Sequence, residues 1–171
     1  GVKLRVDETS PSRGALMYDT KLFIAENACP HFTQEDLNKI VSMIHKAGFQ
    51  VTMHTWGDKA IDMALDAIEA AQKETPRPDA RHTLEHFIFP TMQQLERIKR
   101  LGVVVSIQPQ WLTFFMRNYL DSLDQSLTVE RQYKIKTMLN MGIPVAFGTD
   151  NPENPDYAPR VALIAACLLY T

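Results

Sequence analysis

The stretch VTMHTWGDKA, residues 51–60, begins as an apolar strand and ends as a helix. His54 and Trp56 stand at the junction, and Gly57 with Asp58 turns the chain. Strand, tight turn and helix in immediate succession make up half of a βαβ unit, the building block of a parallel sheet. The remainder of the chain repeats that pattern.

Upstream, residues 1–6 read as a short strand and residues 7–32 as a long loop containing proline. Thr33, with Asp36 three positions on, signals a helix start. The apolar face of that helix is Leu37, Ile40, Val41 and Ile44, and Gly48 ends it. His45, beside Lys46, is expected to be solvated. The strand over 49–54 leads to a helix from about residue 58, with Ile61, Leu65 and Ile68 inward. TPRPD (75–79) is a breaker. RHTLEHF (81–87) is the next strand, followed by a helix bearing Leu95 and Ile98. GVVVSIQPQ (102–110) is a strand apolar enough for burial on both faces. After a variable stretch over 111–127, a helix is expected over 128–140. Gly142 closes it, IPVAFGTD (143–150) is the last strand, and another helix begins near residue 160. The fold class is therefore α/β, either an open doubly wound sheet or a barrel. No glycine-rich phosphate turn follows any strand, which removes the signature of a dinucleotide-binding sheet.

In α/β proteins the chemistry gathers at the carboxyl ends of the strands. Here those ends carry His54, His86, Gln108 and Asp150, and the three ionisable groups are spaced by about one and about two βα units. Each alone has an ordinary reading, as a hydrogen-bonded histidine or a turn aspartate. Their recurrence at one structural level is what suggests a site. Two imidazoles and a carboxylate suit a divalent metal, zinc above all. His82 begins its strand and so falls at the wrong end, while His31 lies in a loop. Arg81 reads as a structural anion partner and Asp58 as a helix cap.

Charged residues make up 22% of the chain and hydrophobic residues 45%, with a formal net charge of −2, so neither nucleic acid nor an anionic membrane is an expected partner. Cys29 and Cys167 are isolated, with no CxxC spacing, so neither a disulfide framework nor a cysteine zinc site is expected. No apolar run reaches the length of a membrane span. A cytoplasmic location is expected, with secretion left open because the chain starts at Gly1.

VTMHTWGDKAIDMALDAIE, RHTLEHF, LGVVVSIQPQW and GIPVAFGTDNP resemble successive motifs of the amidohydrolase superfamily, in the amidohydrolase-3 branch of N-substituted formamide deformylases and D-aminoacylases. The resemblance implies a (β/α)8 TIM barrel, of which residues 1–166 would supply strands four to eight. It implies hydrolysis of amide-type C–N bonds other than peptide bonds in a small-molecule amide substrate. One or two divalent metal ions, Zn2+ as the expected identity, would serve as cofactor. His54 and His86 would be metal ligands, and Asp150 both a ligand and the catalytic proton carrier. Lys3 matches a position where a lysine can be carboxylated to bridge two metals. Trp56, Gln108 and Trp111 are candidates to contact substrate.

Asp7-Glu8 replaces the Asp-Gly usual after the fourth strand, GTD replaces GSD, and no first-strand His-x-His pair is present. A complete barrel takes about 250 residues, so the chain is expected to be a piece of a larger enzyme. Residues 167–171 (CLLYT) match a translated sequencing adapter and are expected to be a non-native tail. Two other readings stay open: a non-catalytic binding or regulatory relative, and a ring deaminase of the superfamily. The Gly57-Asp58 that follows His54 favours the amide hydrolase over the deaminase.

Overall fold

The computed structural model describes residues 1–9, 13–19, 28–111, 132–150 and 158–168. Within them the chain runs β1 (Val2–Arg5), α1 (Gln34–Lys46), β2 (Val51–Thr55), α2 (Asp58–Glu74), β3 (Thr83–His86), α3 (Met92–Leu101), β4 (Val104–Ile107), α4 (Ile135–Asn140), β5 (Val145–Phe147) and α5 (Pro159–Leu168). The expected helix over 128–140 is seen from Ile135 onward. Residues 112–131, most of the variable stretch, lie outside the described residues. No helix of the described residues is long and apolar enough to cross a membrane.

All five strands lie parallel in one sheet, in the order β1-β2-β3-β4-β5. That order separates the two architectures left open by the sequence. A doubly wound sheet reverses its direction of growth at a switch point. Here every strand is added to the same edge, as in the wall of a (β/α)8 barrel. The fold is α/β, a five-stranded part of a TIM barrel.

Side chains alternate across each strand, giving the wall two faces. Val51, Met53, Leu84, Val105 and Ile107 are fully buried and form the core with Leu37 and Val41 of α1, Ile61, Leu65 and Ile68 of α2, and Leu95 and Ile98 of α3. Each such side chain contributes roughly 1.5–3 kcal/mol. The opposite, inner face carries Lys3, Arg5, Thr52, Thr83, Glu85, Val104 and Ser106, all exposed or half-buried. The GVVVSI strand is therefore not buried on both faces. Val105 and Ile107 point into the helix layer, while Val104 and Ser106 share the polar inner face.

Local signals set the helix ends. The Thr33 hydroxyl accepts the Asp36 N–H (3.1 Å) and starts α1. A reciprocal capping box between Thr91 and Gln94 starts α3. The Gln94 side chain also donates to Asp58 O (2.7 Å), tying the start of α3 to the start of α2. Arg97 joins the same two helices by pairing with Asp62, Asp66 and Glu69.

At the amino ends of the strands, His45 is fully buried rather than solvated. It continues the i, i+4 stripe of Leu37 and Val41. The Val51 N–H donates to His82 Nδ1 (3.0 Å), so the His82 proton sits on Nε2 and is donated to His45 Nδ1 (2.8 Å). His45 Nε2–H in turn donates to Thr75 O (2.7 Å). The relay works only with both rings neutral. Burial and the neighbouring His45 and Arg77 hold the His82 pKa down at about 4.

Candidate active site

His54 lies one residue before the end of β2, on the polar inner face, in register with Arg5 of β1 and Glu85 of β3. By alternation His86 belongs with Leu84, on the helix face. It does not go there. His86 and Phe87 both take positive φ (68° and 49°), a left-handed conformation that costs a non-glycine residue of order 1–3 kcal/mol. The ring of His86 instead meets that of His54 edge-on, with centroids 4.3 Å apart.

Gln108, just past β4, accepts a hydrogen bond at Oε1 from His86 Nδ1 (2.8 Å). An amide oxygen can only accept, so Nδ1 carries the proton and Nε2 keeps its lone pair. His54 Nε2 is buried and has no hydrogen-bond partner among the described residues. Burial, then His86, Arg5, Lys3 and His31, push the His54 pKa down to about 2. Burial likewise lowers that of His86, against the pull of Asp150 and Gln108. The result is two adjacent neutral imidazoles, one with an unpartnered nitrogen and the other with its tautomer set by a neighbour.

Aromatic rings wall the pair. Trp56 lies 5.9 Å from His86, centroid to centroid, and Trp111 lies 6.5 Å from it. The two indoles meet edge-on at 6.0 Å. Trp56 Nε1 is a second buried atom with no partner among the described residues. Trp56 and Trp111 are thus brought to the site, whereas Gln108 uses its carbonyl oxygen to orient His86.

Lys3, level with Thr52, forms an ion pair across β2 with Glu85, which is level with His54. Burial lowers its pKa, while Asp150 acts in the opposite direction. Asp150 is exposed, three residues beyond β5, with φ 52°. Its turn is held by Gln110, whose amide donates to Gly148 O (3.3 Å) and Thr149 O (2.9 Å). Among the described residues no three His, Cys, Asp or Glu groups gather closely enough to hold a metal. The structure brings His54 and His86 together as a pair; Lys3 stands one inward-facing layer below His54, level with Thr52 and Thr83, and Asp150 lies three residues beyond β5.

Tyr133 escaped the sequence reading, and Asp58 and Asp7 take parts that it did not give them. Tyr133 is buried between strand ends, its N–H donating to Ile88 O (2.9 Å) and its hydroxyl to Gln108 O (3.3 Å). Asp58 is the first residue of α2, not its cap, and its carboxylate accepts the Tyr18 N–H (2.9 Å). Asp7 is fully buried and accepts backbone N–H groups from Leu16 (3.0 Å), Trp56 (2.9 Å) and Gly57 (2.9 Å). An aspartate directly after a strand was the only available signal for it.

The parallel wall carries its paired imidazoles at the carboxyl ends of the strands, where barrels gather their chemistry. The chain belongs to the amidohydrolase family, whose model matches residues 3–171. It is 29% identical over 167 residues to Protein LONG AFTER FAR-RED 3 of Arabidopsis thaliana, covering 95% of this chain and 29% of that protein. It is 22% identical over 121 residues to the N-substituted formamide deformylase of Arthrobacter pascens, covering 71% of this chain and 22% of the enzyme. In three dimensions it superposes on the crystal structure of a metal-dependent hydrolase from Pyrococcus furiosus. The TM-score is 0.81 at 29% identity, over 97% of this chain and 33% of the other. The chain thus spans a third or less of the length of each of these proteins.

Proposed function

We propose that the protein containing these residues is a metal-dependent hydrolase of amide-type C–N bonds other than peptide bonds, acting on N-acyl or N-formyl amines. The observation that carries this reading is the His54–His86 pair: neutral, side by side, with His54 Nε2 buried and unpartnered among the described residues and His86 Nδ1 engaged by Gln108. That donor set fits part of the coordination shell of a divalent cation, zinc by its preference for imidazole nitrogen. Such a cation would lower the pKa of water and polarise the scissile carbonyl.

The chain's own residues supply the rest. Gln108 fixes which His86 nitrogen faces inward. The Asp150 carboxylate takes a proton from the attacking water and returns it to the leaving amine. Trp56 and Trp111 keep bulk water from the imidazoles and offer flat apolar surface to a substrate. Membership of the amidohydrolase family and the likeness to a metal-dependent hydrolase support the reading.

The test is zinc content and turnover of N-formyl and N-acyl amines by the full-length enzyme. Asp150→Asn should lose roughly 10²–10⁴-fold in kcat. Full activity in that variant, or a wild type that binds no metal, would overturn the proposal.

A further inference from the structure

Asp7 has an environment that stability alone does not ask for. Its carboxylate is fully buried, and among the described residues its partners are three backbone N–H groups, with no cation. Burial of an unpaired carboxylate is unfavourable, and here it raises the pKa to about 6 against the pull of the three donors. The donors come from two segments far apart in the chain. Oδ1 holds Trp56; Oδ2 holds both Gly57 and Leu16. The preceding residue adds a fourth link, with the Val6 N–H donating to His54 O (3.1 Å).

The Leu16 end is anchored equally firmly. Leu16 O accepts the N–H groups of Lys59 (3.1 Å) and Ala60 (3.4 Å), serving as a backbone cap for α2, which has no side-chain cap of its own. Tyr18 N–H on Asp58 adds another tie. The loop over 13–19, the end of β1 and the turn after His54 therefore converge on one carboxylate. Both His54 and Trp56 lie within the span that it grips.

Resting on the hydrolase reading above, we propose that Asp7 is a positioning residue of the metal site. By holding the Trp56–Gly57 turn against the end of β1, it sets where the His54 and Trp56 side chains stand. Metal and catalytic geometries tolerate displacements of only about 0.5 Å, and a misplacement near 1 Å can reduce rate about 10²-fold. Asp7→Asn keeps the shape but turns an amide N–H2 toward a backbone donor, which releases one side of the turn.

The experiment uses the full-length enzyme and measures the urea midpoint, zinc affinity by chelator competition, and kcat and KM. Asp7→Asn is expected to remain folded, bind zinc at least 10-fold more weakly, and lose kcat by about 10-fold or more with KM within threefold. A double variant with His54→Ala should show no further loss of zinc affinity beyond His54→Ala alone, because Asp7 acts through His54. A folded Asp7→Asn enzyme with wild-type zinc affinity and kcat overturns the proposal, whatever its urea midpoint. Should Asp7→Asn not fold, Asp7→Ser, which retains a small acceptor, replaces it under the same criteria. Failure of both to fold would make Asp7 a folding residue and overturn the proposal as well. If the wild type binds zinc yet hydrolyses none of the amides, the hydrolase reading fails while zinc affinity still decides the role of Asp7. A wild type that takes up no zinc overturns both.

Discussion

Gly57→Ala is the substitution on which packing and backbone conformation disagree most sharply. Gly57 has φ −79° and ψ 155°, a conformation open to any residue, so a purely conformational argument predicts a neutral or slightly stabilising change. Packing predicts the opposite. A Cβ at Gly57 would lie 1.9 Å from Leu16 O, 2.4 Å from its carbonyl carbon and 2.8 Å from its nitrogen. These are backbone atoms with no rotamer to escape into, and real Cβ contacts essentially never fall below 3.0 Å. The Leu16 carbonyl must therefore retreat by about 1.1 Å. That retreat stretches the Leu16 O bonds to Lys59 and Ala60 and the Leu16 N–H bond to Asp7 beyond hydrogen-bond range. Two neutral bonds at roughly 1 kcal/mol each, with one to a carboxylate at roughly 1.5–3, sum to a loss of about 3.5–5 kcal/mol. Urea unfolding followed by tryptophan fluorescence measures it, with Gly48→Ala as the control. Gly48 has φ 84° and open space around its missing Cβ, so that variant should lose only about 1–2 kcal/mol. A Gly57→Ala protein within 0.5 kcal/mol of wild type, by this approximate scale, or one less damaged than Gly48→Ala, would refute the packing argument.

The buried histidine relay makes stability depend on pH. The folded-state pKa of His82 is about 4, below the ordinary 6.5, so the unfolded chain binds the proton more tightly. Its contribution is complete above pH 6.5 and is lost as pH falls toward 4, amounting to about 3 kcal/mol. Urea midpoints between pH 7 and pH 4.5 should show this loss, and His82→Phe should flatten it; an unchanged slope in that variant would remove His82 as the cause. Gln108→Leu removes the acceptor that sets the His86 tautomer and should weaken zinc binding by about 10–100-fold without unfolding the protein. Competition with a chromophoric chelator reads this out, and wild-type affinity would show that His86 orients without help.

Much of the fold was legible in short windows of sequence. Thr33 with Asp36, the i, i+4 apolar stripes and the breaker at 75–79 act over three to five residues, and those elements stand near their expected places. The candidate pair was legible too, because His54 and His86 both close strands of one parallel series. His45 was misread although its spacing from Leu37 and Val41 placed it on the buried stripe; the adjacent Lys46 drew the reading toward solvent.

By itself, then, the sequence determined an alternating α/β chain, its amidohydrolase character, and two imidazoles at one level of the sheet. Periodicity and capping are local, and motif order survives without coordinates. Only the tertiary structure decided that the strands add to a single edge. The same holds for the turn of His86 off its own alternation to meet His54, and for the hydrogen bond by which Gln108 sets the His86 tautomer. It also revealed Asp7, whose bonds to Trp56 and Gly57 span 49 and 50 residues. A buried carboxylate can be satisfied only by donors that folding brings to it, and no window of sequence contains both ends of those bonds.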